Sequence, residues 1–202
     1  MAELLTLASR SPQRRAILTQ LGVDFRVRVP GVEEADAGEP RALVLENAER
    51  KAAAGEGELV LGADTIVALD GHPHGKPDDR EQAAAGLRAL AGREHEVWGA
   101  IALREGDRVT TAAARTRVRF RRLSPAEIDW YLDTGEWRER AGGYAIQGRG
   151  AALVECIEGD FFNVVGLPVA ELLSLAPTLL TGSVGGPAQG ASRALGGRPA
   201  VR

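Results

Sequence analysis

The sequence predicts an α/β fold built on a mixed, twisted sheet, and three observations predict it. An apolar run from Leu59 to Leu69, bounded by glycines, has the length and character of a central strand. Segments with helical periodicity, each with its own start and stop residues, alternate with extended segments. Val97–Leu103 and Val109–Phe120, joined through Glu105-Gly106-Asp107, read as a β-hairpin, so antiparallel pairing accompanies the βα alternation.

The elements follow in order. Glu3–Ala8 reads as a short buried strand. Ser11 is a helix N-cap with Pro12 in the first helical position, Ile17, Leu18 and Leu21 mark the apolar face, and Gly22 ends the helix. Phe25–Val29 alternates apolar and basic residues, as a strand with one wet face does, and Glu33–Glu39 is an acidic loop. Pro40 opens a second helix with Val44, Ala48 and Ala52 on one side. Asp70-Gly71 is a hairpin turn signal after the central strand, and Asp78–Leu90 reads as a third helix stopping at Gly92. Ser124-Pro125-Ala126-Glu127 starts a fourth helix, which Gly135 ends. Ala151–Ile157, Glu158-Gly159-Asp160 and Phe161 read as one more hairpin, and Pro168–Leu175 as a final amphipathic helix. Residues 1–180 form a single domain. From 181 to 202 the composition shifts to Gly, Pro, Ala, Ser and Arg, which predicts a disordered tail.

Composition narrows the function. The 202 residues are 44% hydrophobic and 26% charged, ordinary for a soluble globular protein, and the formal net charge is −3. Bulk attraction to nucleic acid or to an anionic membrane is therefore not expected, and a bound anion needs a local basic site. The single cysteine, Cys156, allows no internal disulfide and fits a cytoplasmic setting; it reads as a core residue of an apolar strand. Neither a signal peptide nor a membrane span is expected.

Ala8-Ser9-Arg10-Ser11-Pro12-Gln13-Arg14-Arg15 leads from a strand into a helix. A helix start offers unpaired N–H groups and partial positive charge, which suit phosphate. Ser9 and Ser11 add hydroxyls and the arginines add forked donors. Arg14 lies three and four residues before Ile17 and Leu18, so it belongs to the core stripe and leans toward a cleft at the sheet end, whereas Arg15 turns to solvent. The alternative is a solvated basic helix start. Asp64 sits within the apolar run, where a carboxylate needs a metal, a cation or hydrogen-bond donors; it is either catalytic or a structural anchor. Regular alternation puts Thr65 on the opposite face, in reach of substrate only if the strand bends or ends there. Lys51 falls on the apolar side of its helix, where it snorkels outward or reaches into a site. Lys76 lies in the turn Gly75-Lys76-Pro77. Glu33 and Glu34 are either an acidic turn or a source of one ligand that pairs with Asp64 around Mg²⁺. Gly142–Gly150 surrounds Gln147 with glycines; an amide with donor and acceptor suits a nucleobase edge, and a flexible turn is the plainer reading. His72, His74 and His95 are not expected to bind metal.

Together, Ser9-Arg10-Ser11-Pro12-Gln13-Arg14, Glu33-Glu34, Lys51-Ala52, Gly62-Ala63-Asp64-Thr65, Gly75-Lys76-Pro77, Gly143-Tyr144-Ala145-Ile146-Gln147-Gly148 and Asn163-Val164-Val165-Gly166-Leu167-Pro168 resemble the Maf family of nucleoside triphosphate pyrophosphatases, in the family's order and over residues from about 4 to 176. The resemblance implies a Maf/ITPase-like fold with two lobes around a cleft, a divalent metal cation (Mg²⁺ or Mn²⁺), a cytoplasmic setting and commonly a homodimer. It implies hydrolysis of a nucleoside triphosphate to the monophosphate and diphosphate, a house-cleaning activity. Asp64 takes the family's catalytic position, Glu34 and Asp64 the metal ligands, and Ser9, Lys51 and Lys76 substrate-binding positions. Arg14, Thr65 and Gln147 match residues that mark the branch acting on dTTP and UTP. Gln13 stands where the family usually has arginine. The rival functions are the same reaction on 7-methyl-GTP or non-standard purine triphosphates, and a nucleotide-binding regulator of septum formation with little catalysis.

Overall fold

In the computed structural model, which describes residues 4–181, one seven-stranded mixed sheet carries the helices on its faces. The strands are β1 (Leu5–Leu7), β2 (Phe25–Val27), β3 (Leu59–Leu69), β4 (His72–His74), β5 (Glu94–Glu105), β6 (Arg108–Phe120) and β7 (Val154–Glu158). Their order is β2-β1-β3-β5-β6-β7, with β4 also on β3. The β1 pairs with β2 and β3 are parallel, and all others are antiparallel. The helices are α1 (Pro12–Gln20), α2 (Pro40–Ala54), α3 (Arg80–Leu90), α4 (Pro125–Asp133), α5 (Phe161–Val165) and α6 (Val169–Leu175). No helix among the described residues is long and apolar enough to cross a membrane.

Local chemistry accounts for the boundaries. Ser11 caps α1, its hydroxyl accepting from the Arg14 backbone N–H, and Pro12 stands at the first turn. Ser124 and Glu127 form a reciprocal capping box at α4. The β3–β4 turn places Asp70 and Gly71 both in the left-handed region (φ 52° and 78°), as a two-residue hairpin requires. Glu39 caps α2 through two accepted N–H bonds, fixing the end of the acidic loop against the helix.

Three apolar clusters flank the sheet, the smallest packing Val44, Ala48 and Ala52 of α2 against Ala100 and Ala102 of β5. Two are larger. One joins β1, α1, the start of β3 and α6 through Leu5, Leu7, Ile17, Leu18, Leu61 and Leu172. The other joins α3, α4 and the far ends of β3 and β6 through Leu87, Leu90, Phe120, Tyr131 and Leu132. Between β1 and β4, the shared edge of β3 is interrupted. β1 pairs with Val60 and Leu61, and β4 with Val67–Leu69. From Gly62 to Ile66 no described strand covers that edge, although β5 pairs continuously along the other.

Two expectations are corrected. The segment from 151 to 161 is not a hairpin. Arg149–Leu153 is a 3₁₀ turn, β7 pairs with β6, and the chain after Gly159 enters α5, because Asp160 caps that helix by accepting from the Phe162 N–H at 2.8 Å. Cys156 is exposed rather than core. It sits on the edge strand β7 opposite the exposed Arg119, while its neighbour Ile157 faces the buried Val118. The first strand begins at Leu5. Glu3, and the tail expected beyond Thr181, lie outside the described residues.

Candidate active site

The site is built on the interrupted edge of β3. Gly62 lets α2 lie directly on that strand, since a Cβ there would stand 2.1 Å from the Ala48 carbonyl oxygen and 2.6 Å from the Ala52 nitrogen. The close approach brings two polar residues on the inner face of α2, Asn47 and Lys51, onto Asp64. Lys51 Nζ lies 2.8 Å from Asp64 Oδ1 and 2.7 Å from Glu34 Oε1, and donates to the Ala63 carbonyl at 3.3 Å. Asn47 Nδ2 donates to Asp64 Oδ2 at 3.1 Å. The same amide exchanges both bonds with the Ala35 backbone, at 2.8 and 2.9 Å, which ties the Glu34 loop to the helix. Burial pushes the Glu34 carboxyl up, but the hydrogen bond and charge of Lys51, with Lys76 and Arg14, outweigh it and hold the group below its ordinary range.

Arg14 makes a second corner. It is buried on the core stripe of α1, while Arg15 is exposed. Its guanidinium donates to the Gly166 carbonyl (2.8 Å), Ser9 Oγ (3.0 Å) and Thr65 Oγ1 (3.1 Å), and Thr65 Oγ1 itself donates to the Gly166 carbonyl (3.2 Å). Desolvation draws the Arg14 pKa down and the charges of Asp64 and Glu34 draw it back, leaving it lowered on balance. Asp64 and Thr65 point to opposite faces of an unbent strand, yet both line the cleft, because it opens at the uncovered edge.

The facing wall comes from the chain after α4. Glu136 Oε2 accepts from the Arg149 and Gly150 backbone N–H groups (2.8 and 3.4 Å), holding the loop that carries Gln147. Tyr131 hydroxyl accepts from the Ala145 N–H at 2.9 Å. Tyr144 hydroxyl lies 2.9 Å from His95 Nε2, and burial drops that imidazole to about 4, so the ring is neutral at ordinary pH. Gln147 is exposed at the mouth, and Lys76, also exposed, lies 3.8 Å from Glu34 Oε2. The cleft between the walls holds about 1020 Å³ and is lined by six cationic side chains against four carboxylates. That surplus suits a polyanion.

The donor set also fits a hard divalent cation. Glu34 and Asp64 present carboxylates close enough to share one ammonium ion, and no cluster of three or more metal-ligating side chains occurs among the described residues. A pair of carboxylates with the remaining positions left to phosphate oxygens and water is how Mg²⁺ is characteristically held.

Residues 4–179 match the family model described as "Maf-like protein". The chain belongs to this Maf-like family. Among its curated relatives are proteins named dTTP/UTP pyrophosphatase. That of Thermus thermophilus is 49% identical over 172 residues, covering 85% of this chain and 92% of the relative. That of an Anaeromyxobacter species is 50% identical over 201 residues (94% and 98%), and that of Symbiobacterium thermophilum 47% over 191 (90% and 98%).

For this Maf-like chain, the residues singled out from sequence gather around one cleft. Ser9, Arg14, Glu34, Lys51, Asp64, Thr65, Lys76 and Gln147 all line it. Asn47 joins them through Asp64, from the sequence position four residues before Lys51 on the same helical face, its polar side chain there being the one signal it left. The Gly166 carbonyl and the cleft residues Glu136 and Arg140 left no comparable signal. Gln13 lines the cleft, and its Oε1 accepts from Ser11 Oγ at 3.1 Å.

Proposed function

We propose that the protein hydrolyses nucleoside triphosphates to the monophosphate and diphosphate, with dTTP and UTP preferred. The observation that carries the reading is the buried pair Asp64–Lys51, joined by the exposed Glu34, at the open edge of β3, inside a cleft with surplus positive charge. The names of the curated relatives give the substrate preference, and the position of Arg14, Thr65 and Gln147 around the same cleft is consistent with it.

In the reaction, a water oxygen bonds to the α-phosphorus, the bond from that phosphorus to the bridging oxygen breaks, and diphosphate leaves with the electron pair. The water's proton needs an acceptor, and the Asp64 carboxylate is positioned for it. Lys51 and Asn47 hold its two oxygens in place, so it has little freedom to turn. Glu34 and Asp64 would hold a divalent cation, which supplies charge neutralisation on the phosphates and lowers the pKa of attacking water. Arg14, Lys51 and Lys76 offset phosphate charge as it shifts toward the leaving group. Arg14 and Thr65, fixed to each other and to the Gly166 carbonyl, define one end of the nucleotide seat; Gln147 offers a donor and an acceptor to the base edge at the other. A reducing cytoplasmic setting fits a chain with one cysteine, whose thiol is free.

The test is diphosphate release from a panel of dTTP, UTP, CTP, GTP, 7-methyl-GTP and inosine triphosphate, with Mg²⁺ and with Mn²⁺. The highest kcat/KM is expected for dTTP and UTP. Preferred turnover of a purine nucleotide overturns the substrate assignment, and binding of dTTP without diphosphate release overturns the reaction.

A further inference from the structure

We propose that Arg140 is a substrate-binding residue that receives the diphosphate portion of the nucleotide. The inference rests on the pyrophosphatase reading and adds a residue to it. Of the cationic side chains lining the cleft, most are already engaged. Lys51 and Lys76 face carboxylates. Arg14 places three of its five N–H donors on oxygen acceptors within the protein. The Arg138 guanidinium lies over the Trp137 ring, 4.5 Å from its centroid. Arg10 is exposed at the helix start. Arg140 differs from all of these. It is partly buried, it lines the cleft, and its Nε is fully shielded from solvent with no hydrogen-bond partner among the described residues. A buried N–H on a charged group is costly to leave unpaired; the protein itself shields this one, so a ligand in the cleft meets the two terminal nitrogens of the guanidinium, which have no hydrogen-bond partner among the described residues either.

The backbone holds Arg140 in place by unusual means. Glu139 before it is in the left-handed region (φ 59°), which a residue with a side chain seldom adopts. After it, Gly142 and Gly143 are also left-handed (φ 67° and 69°), and a Cβ on Gly142 would stand 2.8 Å from a Val67 methyl. Gly142 N–H donates to the Gly75 carbonyl at 3.3 Å, which ties the segment to the loop of Lys76. Arg140 and Lys76 are thus carried on two joined loops beside the cleft. Desolvation lowers the Arg140 pKa by more than the charges of Tyr131 and Glu136 raise it, and no carboxylate among the described residues lies within ion-pair distance of the guanidinium.

The chemistry selects the diphosphate. Asp64, Lys51 and Glu34 mark the reacting phosphorus, and the neutral amide of Gln147 suits the base. Lys76, on the loop joined to Arg140, serves the remaining phosphates. A guanidinium fork matches two oxygens of adjacent phosphates and, on a leaving diphosphate, meets charge that grows as the bond breaks.

Competitive inhibition of dTTP hydrolysis by inorganic diphosphate and, separately, by dTMP tests this in wild type, Arg140→Gln and Arg140→Lys. Arg140→Gln is expected to raise both the KM for dTTP and the diphosphate Ki about tenfold, the effect of losing one charge-assisted bond pair. The dTMP Ki should stay at the wild-type value, and Arg140→Lys should recover part of the loss. An unchanged diphosphate Ki, or equal weakening of diphosphate and dTMP, overturns the proposal. Should the glutamine variant not fold, Arg140→Lys carries the same comparison, and an unchanged diphosphate Ki in it is equally decisive. If wild type releases no diphosphate from any triphosphate, the reaction reading falls. Calorimetric titration of inorganic diphosphate into wild type and Arg140→Gln then still decides the anion site, because it needs no turnover.

Discussion

The two walls of the cleft are built on opposite plans. On the β3 wall the polar atoms are satisfied within the protein. Both oxygens of Asp64 are held, Arg14 has three acceptors, and Asn47 exchanges a pair of hydrogen bonds with the Ala35 backbone. On the wall after α4, Gln147 stands exposed, the Arg140 Nε has no partner among the described residues, and Glu139 is held left-handed. The difference separates two tasks. On the proposed reading, the wall assigned the chemistry is set before substrate arrives, so its groups would reorganise little during reaction. The wall assigned to the nucleotide would leave bonds for the nucleotide to complete.

The sharpest way to break this contrast is Asp64→Asn. It should reduce kcat for dTTP by about 10³-fold, the scale of a lost group acting at the transition state, while the thermal melting temperature stays near wild type. Retention of near-normal turnover removes Asp64 from the chemistry.

Lys51→Met keeps the side chain's length and deletes its charge. A loss of about 10²-fold in kcat/KM is expected, the equivalent of roughly 3 kcal/mol for a charged hydrogen bond. The variant also moves a pH dependence. Because the Glu34 pKa lies below its ordinary range in the folded protein, this group contributes stability at pH above the unfolded pKa and loses it as pH falls through the folded one. Without Lys51 its pKa rises, so the acid limb of kcat/KM against pH should shift upward; an unmoved limb shows that Lys51 does not govern it.

Gly62→Ala tests the packing beneath the chemistry. Its Cβ meets backbone atoms of α2, which cannot swing aside as a flexible side chain can. A destabilisation of about 1–3 kcal/mol by thermal melting is expected. Activity should fall more steeply than the folded fraction, since Asn47 and Lys51 retreat from Asp64 together. On the other wall, Gln147→Ala should have the smallest effect, several-fold in the ratio of kcat/KM for dTTP over purine triphosphates, the scale of a neutral hydrogen bond. A loss of total activity as large as that of Asp64→Asn would erase the distinction between the walls.

Sequence periodicity reached the first wall more fully than the second. Arg14 and Lys51 were legible because each interrupts an apolar helical stripe, and Asp64 because it interrupts an apolar strand. Those are departures from a regular pattern, and burial makes a departure expensive. Asn47 left the same kind of mark on α2, but a neutral amide stands out less than a charge. The Gly166 carbonyl left none. A backbone acceptor is independent of residue type, and it meets Arg14 across 152 positions of chain. Arg140 lies in a segment without helical or strand period, so nothing local told its guanidinium from those of Arg138 and Arg149. The misread hairpin has a related cause. Glu158-Gly159-Asp160 has turn chemistry, but turn chemistry does not say which strand a segment will pair with, and β7 found β6. The condition set on Thr65, that the strand bend or end there, did not include an uncovered edge for the same reason: whether an edge is covered is a property of the sheet, not of the strand.

The interruption between β1 and β4 also bears on how such a protein can change. Asp64 takes its register from β5 alone, on the side away from the cleft. The chain around the opening, from Ala8 to Pro12 and from Asp70 to Pro77, can therefore lengthen, shorten or exchange sequence without sliding the carboxylate along the sheet. The aperture acts as a fixed window in an exchangeable frame, and the frame can drift in length and sequence while the carboxylate keeps its place.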